Sequence, residues 1–194
     1  MILSLRLKCL TYFGLSMLIK KNTFMPLESN LSPLLFRWLN HQDSLTANLK
    51  VLAKNVNLQV LNQGWKGSSW WDKEVLSIQG INVFIREILM SADREPCWYA
   101  RTIIPDTTYN SSTFFNRLYK EALTALIFNE PKIKRIELEN YAISNKSLEY
   151  YWLPEGLRNN QSIYWVRISS FLFEDKFPFY LIEILLPALE RYEF

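Results

Sequence analysis

The stretch VFIREILMSADREPCWYARTIIP, residues 83–105, decides the fold because it reads as two strands joined by a tight polar turn. Side chains of a strand alternate between its faces, so Phe84, Arg86, Ile88 and Met90 share one side and Ile85, Glu87 and Leu89 the other. The run from Trp98 to Ile104 alternates as well. Between them, Ala92-Asp93-Arg94-Glu95-Pro96 holds the turn formers that a hairpin needs. Arg86 requires explanation: a guanidinium cannot shed its charge, and an arginine on an apolar face is rarely buried without an anion.

Working outward, 194 residues with 49% hydrophobic and 15% aromatic content are enough for one sizeable core, and no break in composition suggests two. The 22 basic and 19 acidic residues give a net charge of +3. That is too mild and too evenly mixed for a nucleic-acid surface, and the slight excess suits a small anion better than a polyanion. Cys9 and Cys97 lie far apart and His41 is the one histidine, which excludes the usual zinc sets and a disulfide framework. Five glycines, with no GxGxxG and no GxxxxGK[ST], exclude the dinucleotide and P-loop readings.

Residues 1–24, MILSLRLKCLTYFGLSMLIKKNTF, form a basic, apolar leader whose uncharged run is too short to span a bilayer. Such a leader allows weak contact with an anionic membrane surface. A start upstream of the true Met25, or an N-terminal element packed on the core, is the favoured account, and residues 25–194 are expected to form the domain.

Ser32-Pro33 offers a helix N-cap and a first-turn proline, followed by Leu34, Leu35, Trp38 and Leu39 at helical spacing. Asp43-Ser44 begins a second helix carrying Leu45, Leu49 and Leu52. Asn57 to Trp65 is expected as a strand with Leu58 and Val60 on one face, and Gly64 to Asp72 as a loop. After a polar break at Thr107 to Ser112, a helical stripe runs from Phe114 to Ile127, interrupted near Ala122. Lys132 to Ile143 reads as a strand with Ile136 and Leu138 opposed to Arg135 and Glu137, and Ser147 to Trp152 as a helical turn. A last hairpin comprises Ile163 to Phe173, a turn at Glu174-Asp175-Lys176, and Phe177 to Leu186.

In that final strand Glu183 is the single charge, and either face would bury it. An unpaired, ionised carboxylate there would cost several kcal/mol, on the order of the penalty for a desolvated ion. Glu183 is therefore protonated or faces a cation. One conspicuous arginine and one conspicuous glutamate then allow two readings of equal weight: a buried Arg86–Glu183 ion pair that fixes register, or a ligand site.

These blocks, in this order, resemble the chorismate pyruvate-lyase family. Trp38-Leu39 and Asp43-Ser44-Leu45-Thr46 are similar to its W-L and D-S-[ML]-T. Ile85 to Leu89, Ala92-Asp93 with Glu95-Pro96, and Arg101 to Pro105 resemble its R-E-I-L-L, A-D-G-E-P and R-T-V-V-P. Pro178 to Glu183 and on to Pro187 keeps the spacing of P-x-x-x-x-E and E-L-x-L-P. Arg94 replaces the turn glycine, and Ala122 and Thr124 flank Leu123 where the family often has P-L-G.

The resemblance implies an α+β fold: a single antiparallel sheet with helices packed on it and helical flaps over a buried ligand site. It implies conversion of chorismate to 4-hydroxybenzoate and pyruvate, the first step of ubiquinone ring synthesis, by a cytoplasmic monomer without cofactor or metal. Substrate binding falls on Arg86, Leu45, Leu123 and Glu183, with Arg86 as carboxylate clamp and Glu183 as acid. The other reading is a non-catalytic, effector-sensing domain of the same fold that binds a small aromatic acid.

Overall fold

The computed structural model describes residues 31–193 except 120, 122, 128 and 129, with backbone alone at 124 and 125. The leader and Ala122 therefore lie outside the described residues. Two short helices come first, α1 (Pro33–Asn40) and α2 (Leu45–Leu52). Each is started by a serine hydroxyl that accepts a first-turn amide: Ser32 Oγ from Leu35 N and Ser44 Oγ from Ala47 N, both at 3.1 Å. Their apolar sides bury Trp38, Leu39, Leu45 and Leu49.

Six strands follow: β1 (Val56–Gly67), β2 (Asn82–Ala92), β3 (Glu95–Pro105), β4 (Ile133–Ile143), β5 (Tyr164–Phe173) and β6 (Phe177–Leu185). They form one antiparallel sheet in the order β1-β2-β3-β6-β5-β4. The architecture is α+β, as expected. Alternation divides the apolar residues into a core on each face. Phe84, Met90, Trp98, Leu181 and Leu185 pack beneath α1, α2 and the segment after β3. Val83, Ile85, Tyr99, Ile182 and Ile184 pack on the other side with Trp71, Tyr150 and Leu153. Full burial of an isoleucine such as Ile182 or Ile184 contributes about 1.5–3 kcal/mol, so the two faces together hold β6 firmly in the centre.

The β2–β3 turn is tighter than the five-residue segment 92–96 suggested. Ala92 and Glu95 belong to the strands, and Asp93 (φ 50°) and Arg94 (φ 76°) alone make the turn, both left-handed as a two-residue hairpin with the right twist requires. Asp93 helps anchor the tip, its Oδ1 accepting from Asn55 N at 3.0 Å.

Three local expectations are corrected. The Gly64–Asp72 loop is the end of β1 followed by a helix, α3 (Trp70–Glu74), started by a reciprocal Ser69–Asp72 capping box. The polar break after β3 contains a helical turn, α4 (Asp106–Tyr109). In β4, a bulge between Arg135 and Glu137 leaves Ile136 40% exposed and sets Arg135 over the Phe171 ring, 5.4 Å from its centroid. The 114–127 stripe divides as expected, into a 3-10 helix at Thr113–Tyr119 and α5 (Leu123–Ile127). Among the described residues, no helix is long and apolar enough to cross a membrane.

Candidate functional site

Two adjacent cross-strand rows form the floor of the site. One runs Arg86, Thr102, Leu181, Ser169 and the next Ile88, Ala100, Glu183, Arg167, across β2, β3, β6 and β5. Residues paired across strands point to the same face, so Arg86, Glu183 and Arg167 all project toward the helices. The middle of the floor, Thr102 and Ala100, is small. Above that dip is a cavity of about 20 Å³, roofed by Thr46 of α2 and Leu123 of α5, with Leu58 of β1, Arg86 and Glu183 in its wall. That space is about what one water molecule requires.

Arg86 is 6% exposed. Its Nη1 donates to the carbonyl of Leu118, at 2.8 Å, and to that of Glu121, both in the segment that covers the cavity. Its Nε is buried without a hydrogen-bond partner among the described residues. No carboxylate among the described residues forms an ion pair with it; the Glu121 carboxylate is engaged by Arg117 at 2.8 Å instead. Burial accordingly pushes the guanidinium pKa below its ordinary value. Among the described residues Arg86 is therefore a buried cation with no counter-ion, tied to its cover by backbone carbonyls.

Glu183 is 4% exposed, and its partner is Arg167, whose Nε lies 2.9 Å from Oε2. The N–H is not aimed squarely at that oxygen, so the contact is a close ion pair and not a well-aligned hydrogen bond. Burial pushes the carboxyl pKa up, and the nearby Arg167 and Arg135 charges pull it down without cancelling the rise. The Arg86–Glu183 ion pair, one of the two readings the sequence allowed, is thus replaced by Arg167–Glu183. β3 separates β2 from β6, so their backbones stand about 10 Å apart at the usual strand spacing, whereas the β5–β6 hairpin sets Arg167 directly beside Glu183.

Of the expected site residues, Arg86, Glu183 and Leu123 meet at this cavity. Leu45 is buried in the core next to it, and the following residue, Thr46, lines the space. Thr102, Ala100 and Arg167 were not anticipated. Arg167 carried the same signal as Glu183, a charge within an apolar strand, but Ser169 and Ser170 made that strand look polar enough to accept it. A larger open groove of about 610 Å³ runs outside β4 between Gln42 and Ile127. Its lining mixes Arg135 with Glu130 and Glu137 and includes neither Arg86 nor Glu183, so the small enclosed cavity is the better candidate. Among the described residues no cluster of His, Cys, Asp and Glu could hold a metal ion.

Solved structures with the same fold include the effector domain of PhnF from Mycobacterium smegmatis (TM-score 0.54, 13% identity, 75% of this chain and 90% of that one). The C-terminal domain of the histidine utilization repressor from Pseudomonas syringae is similar at TM-score 0.54 and 11% identity, covering 72% of this chain and 97% of that one. Such identities show the fold alone. By sequence, the chain is 26% identical over 164 residues to a probable chorismate pyruvate-lyase of Pseudoalteromonas translucida, covering 84% of this chain and 90% of the relative. It is 29% identical over 165 residues to one of Bordetella avium, covering 84% and 82%. A family model described as chorismate lyase matches residues 21–177. With the match extending from before α1 into the first residue of β6, the chain belongs to the chorismate lyase family.

Proposed function

We propose that the chain converts chorismate to 4-hydroxybenzoate and pyruvate. The observation that carries this is Arg86, a buried guanidinium paired with no carboxylate among the described residues, placed across a small cavity from the acid Glu183. A planar guanidinium can hold the ring carboxylate by two parallel hydrogen bonds, which fixes the orientation of the ring. Glu183, kept toward its protonated form by burial, is then placed to give its proton to the ether oxygen. The C–O bond to the ring breaks with its electron pair going to that oxygen. Loss of the proton from the neighbouring hydroxyl-bearing ring carbon supplies the pair that completes the aromatic ring, and that proton can restore Glu183. Released enolpyruvate becomes pyruvate. Atoms balance, and nothing is oxidised or reduced overall.

Chorismate is far larger than a 20 Å³ space, so entry calls for the cover formed by Leu118, Glu121 and Leu123 to move away from Arg86. Arg86 is its tie: a substrate carboxylate competes for the guanidinium that otherwise binds the carbonyls of Leu118 and Glu121. Leu123 closes the apolar roof, and Leu45 supports it from behind. The wider expectations, a cytoplasmic monomer supplying the ubiquinone ring, belong to this proposal. The test is to incubate purified protein with chorismate and measure both products; no 4-hydroxybenzoate at high protein concentration refutes the reading. The similarity to the PhnF effector domain favours a second reading, a binding domain for a small aromatic acid. It predicts binding of 4-hydroxybenzoate with no turnover of chorismate.

A further inference from the structure

Arg167 is 1% exposed, among the most deeply buried large side chains of the protein, and pairs with Glu183 in the β5–β6 ladder. It is fixed at two points. Nε lies 2.9 Å from Glu183 Oε2, and Nη1 donates to the carbonyl of Trp38 at 2.9 Å. Trp38 is in the last turn of α1, where carbonyls lack partners within the helix and the helix presents its negative end to a cation. Trp38 is itself held, its indole N–H donating to Tyr192 O at 3.0 Å. The chain of contacts thus runs from the C-terminal segment through α1 and Arg167 to one oxygen of Glu183. The other oxygen, Oε1, accepts no hydrogen bond from the described residues, while the residue lines the cavity.

We infer that Arg167 is a positioning residue of the reaction: anchored on the end of α1, it grips Oε2 of Glu183 so that Oε1 is presented to the substrate. This rests on the lyase reading above. Arg167 touches no reacting atom, and its effect passes through the carboxyl. The charged groups facing this pair are Arg135 from β4, Arg86 from β2 across the cavity, and His41 with Asp43 from the α1–α2 connection behind Arg167. Arg135 is within electrostatic reach of Glu183 as well, so Arg167 alone supplies the short contact but not all of the positive field.

The test uses the full chain with Arg167→Lys, which keeps the charge but lacks a fork reaching both Glu183 and Trp38, and with Arg167→Gln, which removes the charge. Turnover of chorismate and affinities for 4-hydroxybenzoate and benzoate are measured, with thermal melting as the folding control. In Arg167→Lys, kcat falls about 10- to 100-fold, the scale of a misplaced catalytic group. Affinity for benzoate, set by Arg86, is retained, and the preference for 4-hydroxybenzoate over benzoate shrinks because the carboxyl no longer faces the ring hydroxyl. In Arg167→Gln the basic limb of the kcat profile moves to higher pH, since the loss of a neighbouring cation favours the protonated acid. Parental kcat and an unchanged preference in Arg167→Lys overturn the proposal; if Arg167→Gln does not fold, the Lys variant decides alone. Absence of turnover in the parent sinks the lyase reading, and the affinity ratio then still decides whether Arg167 positions Glu183.

Discussion

Replacing Arg86 by methionine preserves much of the side-chain volume and removes the charge, and its consequences can be worked from the contacts. In the free protein the change deletes the hydrogen bonds to Leu118 O and Glu121 O. Bonds to a charged donor contribute about 1.5–3 kcal/mol each. It also removes a buried cation that has no carboxylate partner among the described residues, and the desolvation penalty relieved is again several kcal/mol. The two effects oppose, so folding stability should move by less than about 2 kcal/mol, a melting shift below about 8 °C for a domain of this size. Binding has no such compensation. Truncating one member of a buried charge pair costs about 2–5 kcal/mol, and because the ligand must displace the two carbonyls, the lower half of that range applies. Taking about 3 kcal/mol, affinity for 4-hydroxybenzoate falls about 100-fold. Calorimetric titration of parent, Arg86→Met and Arg86→Lys measures it, with the lysine variant intermediate because it keeps a point charge but not the fork. An Arg86→Met protein that folds normally and binds within threefold of the parent refutes the clamp.

Buried Glu183 and half-buried Glu87 have opposite pH signatures. Burial raises the Glu183 pKa above its ordinary 4.5, so the folded protein holds that proton more tightly than the unfolded chain, and the associated stability is present below pH 4.5 and lost as pH rises through the raised value. For Glu87, burial pushes upward, but hydrogen bonds from Tyr99 at 2.7 Å and Asn62 at 2.8 Å, with Arg101 and Lys66 nearby, hold the pKa below 4.5. Its contribution is present above pH 4.5 and lost as pH falls. Denaturant titrations should show Glu183→Gln flattening the slope above pH 4.5 and Glu87→Gln the slope below it; exchanged effects refute the assignment. Ala100→Leu fills the dip beside Glu183 and should abolish 4-hydroxybenzoate binding while costing about 1–3 kcal/mol of stability, so retained binding would displace the site from this cavity. Arg94→Gly relieves a side chain held at φ 76° and should stabilise the protein by up to about 1 kcal/mol in chemical denaturation, the left-handed penalty less the added freedom of the unfolded chain.

What could be read from the sequence followed the range of the interactions involved. The period of a strand is fixed by its own backbone, so the faces of 83–105 and the burial of Glu183 were legible from a few residues each. Serine caps at Ser32 and Ser44 were legible for the same reason, and the Ser69-Asp72 pair at the start of α3 carried an equally local signal that went unread behind its glycines and tryptophans. Which charge meets which was not local. Glu183 pairs with Arg167 because β5 precedes β6 in a hairpin and β3, not β2, lies on its other side. No periodicity in one strand reports the order of six. Arg86 stood out as a charge on an apolar strand face, but its partners are backbone carbonyls 32 and 35 residues away, which have no signature in side-chain type.

Strand order also bears on the two functional readings. An effector-binding domain and a lyase both need a cation for the ligand carboxylate, so Arg86 serves either. Glu183 can bond a ring hydroxyl in either, but only the lyase needs its proton. A site that only recognises a ring hydroxyl could use an amide or a serine, which hydrogen-bond without burying a charge; a buried carboxyl needs its own arginine, and here Arg167 is committed to that role with no ligand contact required of it. A proton donor at Glu183 gives that arrangement a purpose. Glu183→Gln keeps size and hydrogen-bonding capacity but cannot give up a proton to an ether oxygen. If the chain is a lyase, kcat falls about 10²- to 10⁴-fold, the usual contribution of a general acid, while affinity for 4-hydroxybenzoate changes only a few fold. Equal turnover by the glutamine variant and the parent would remove the acid from the mechanism, leaving Arg86 as a binding group and the buried pair as a structural one.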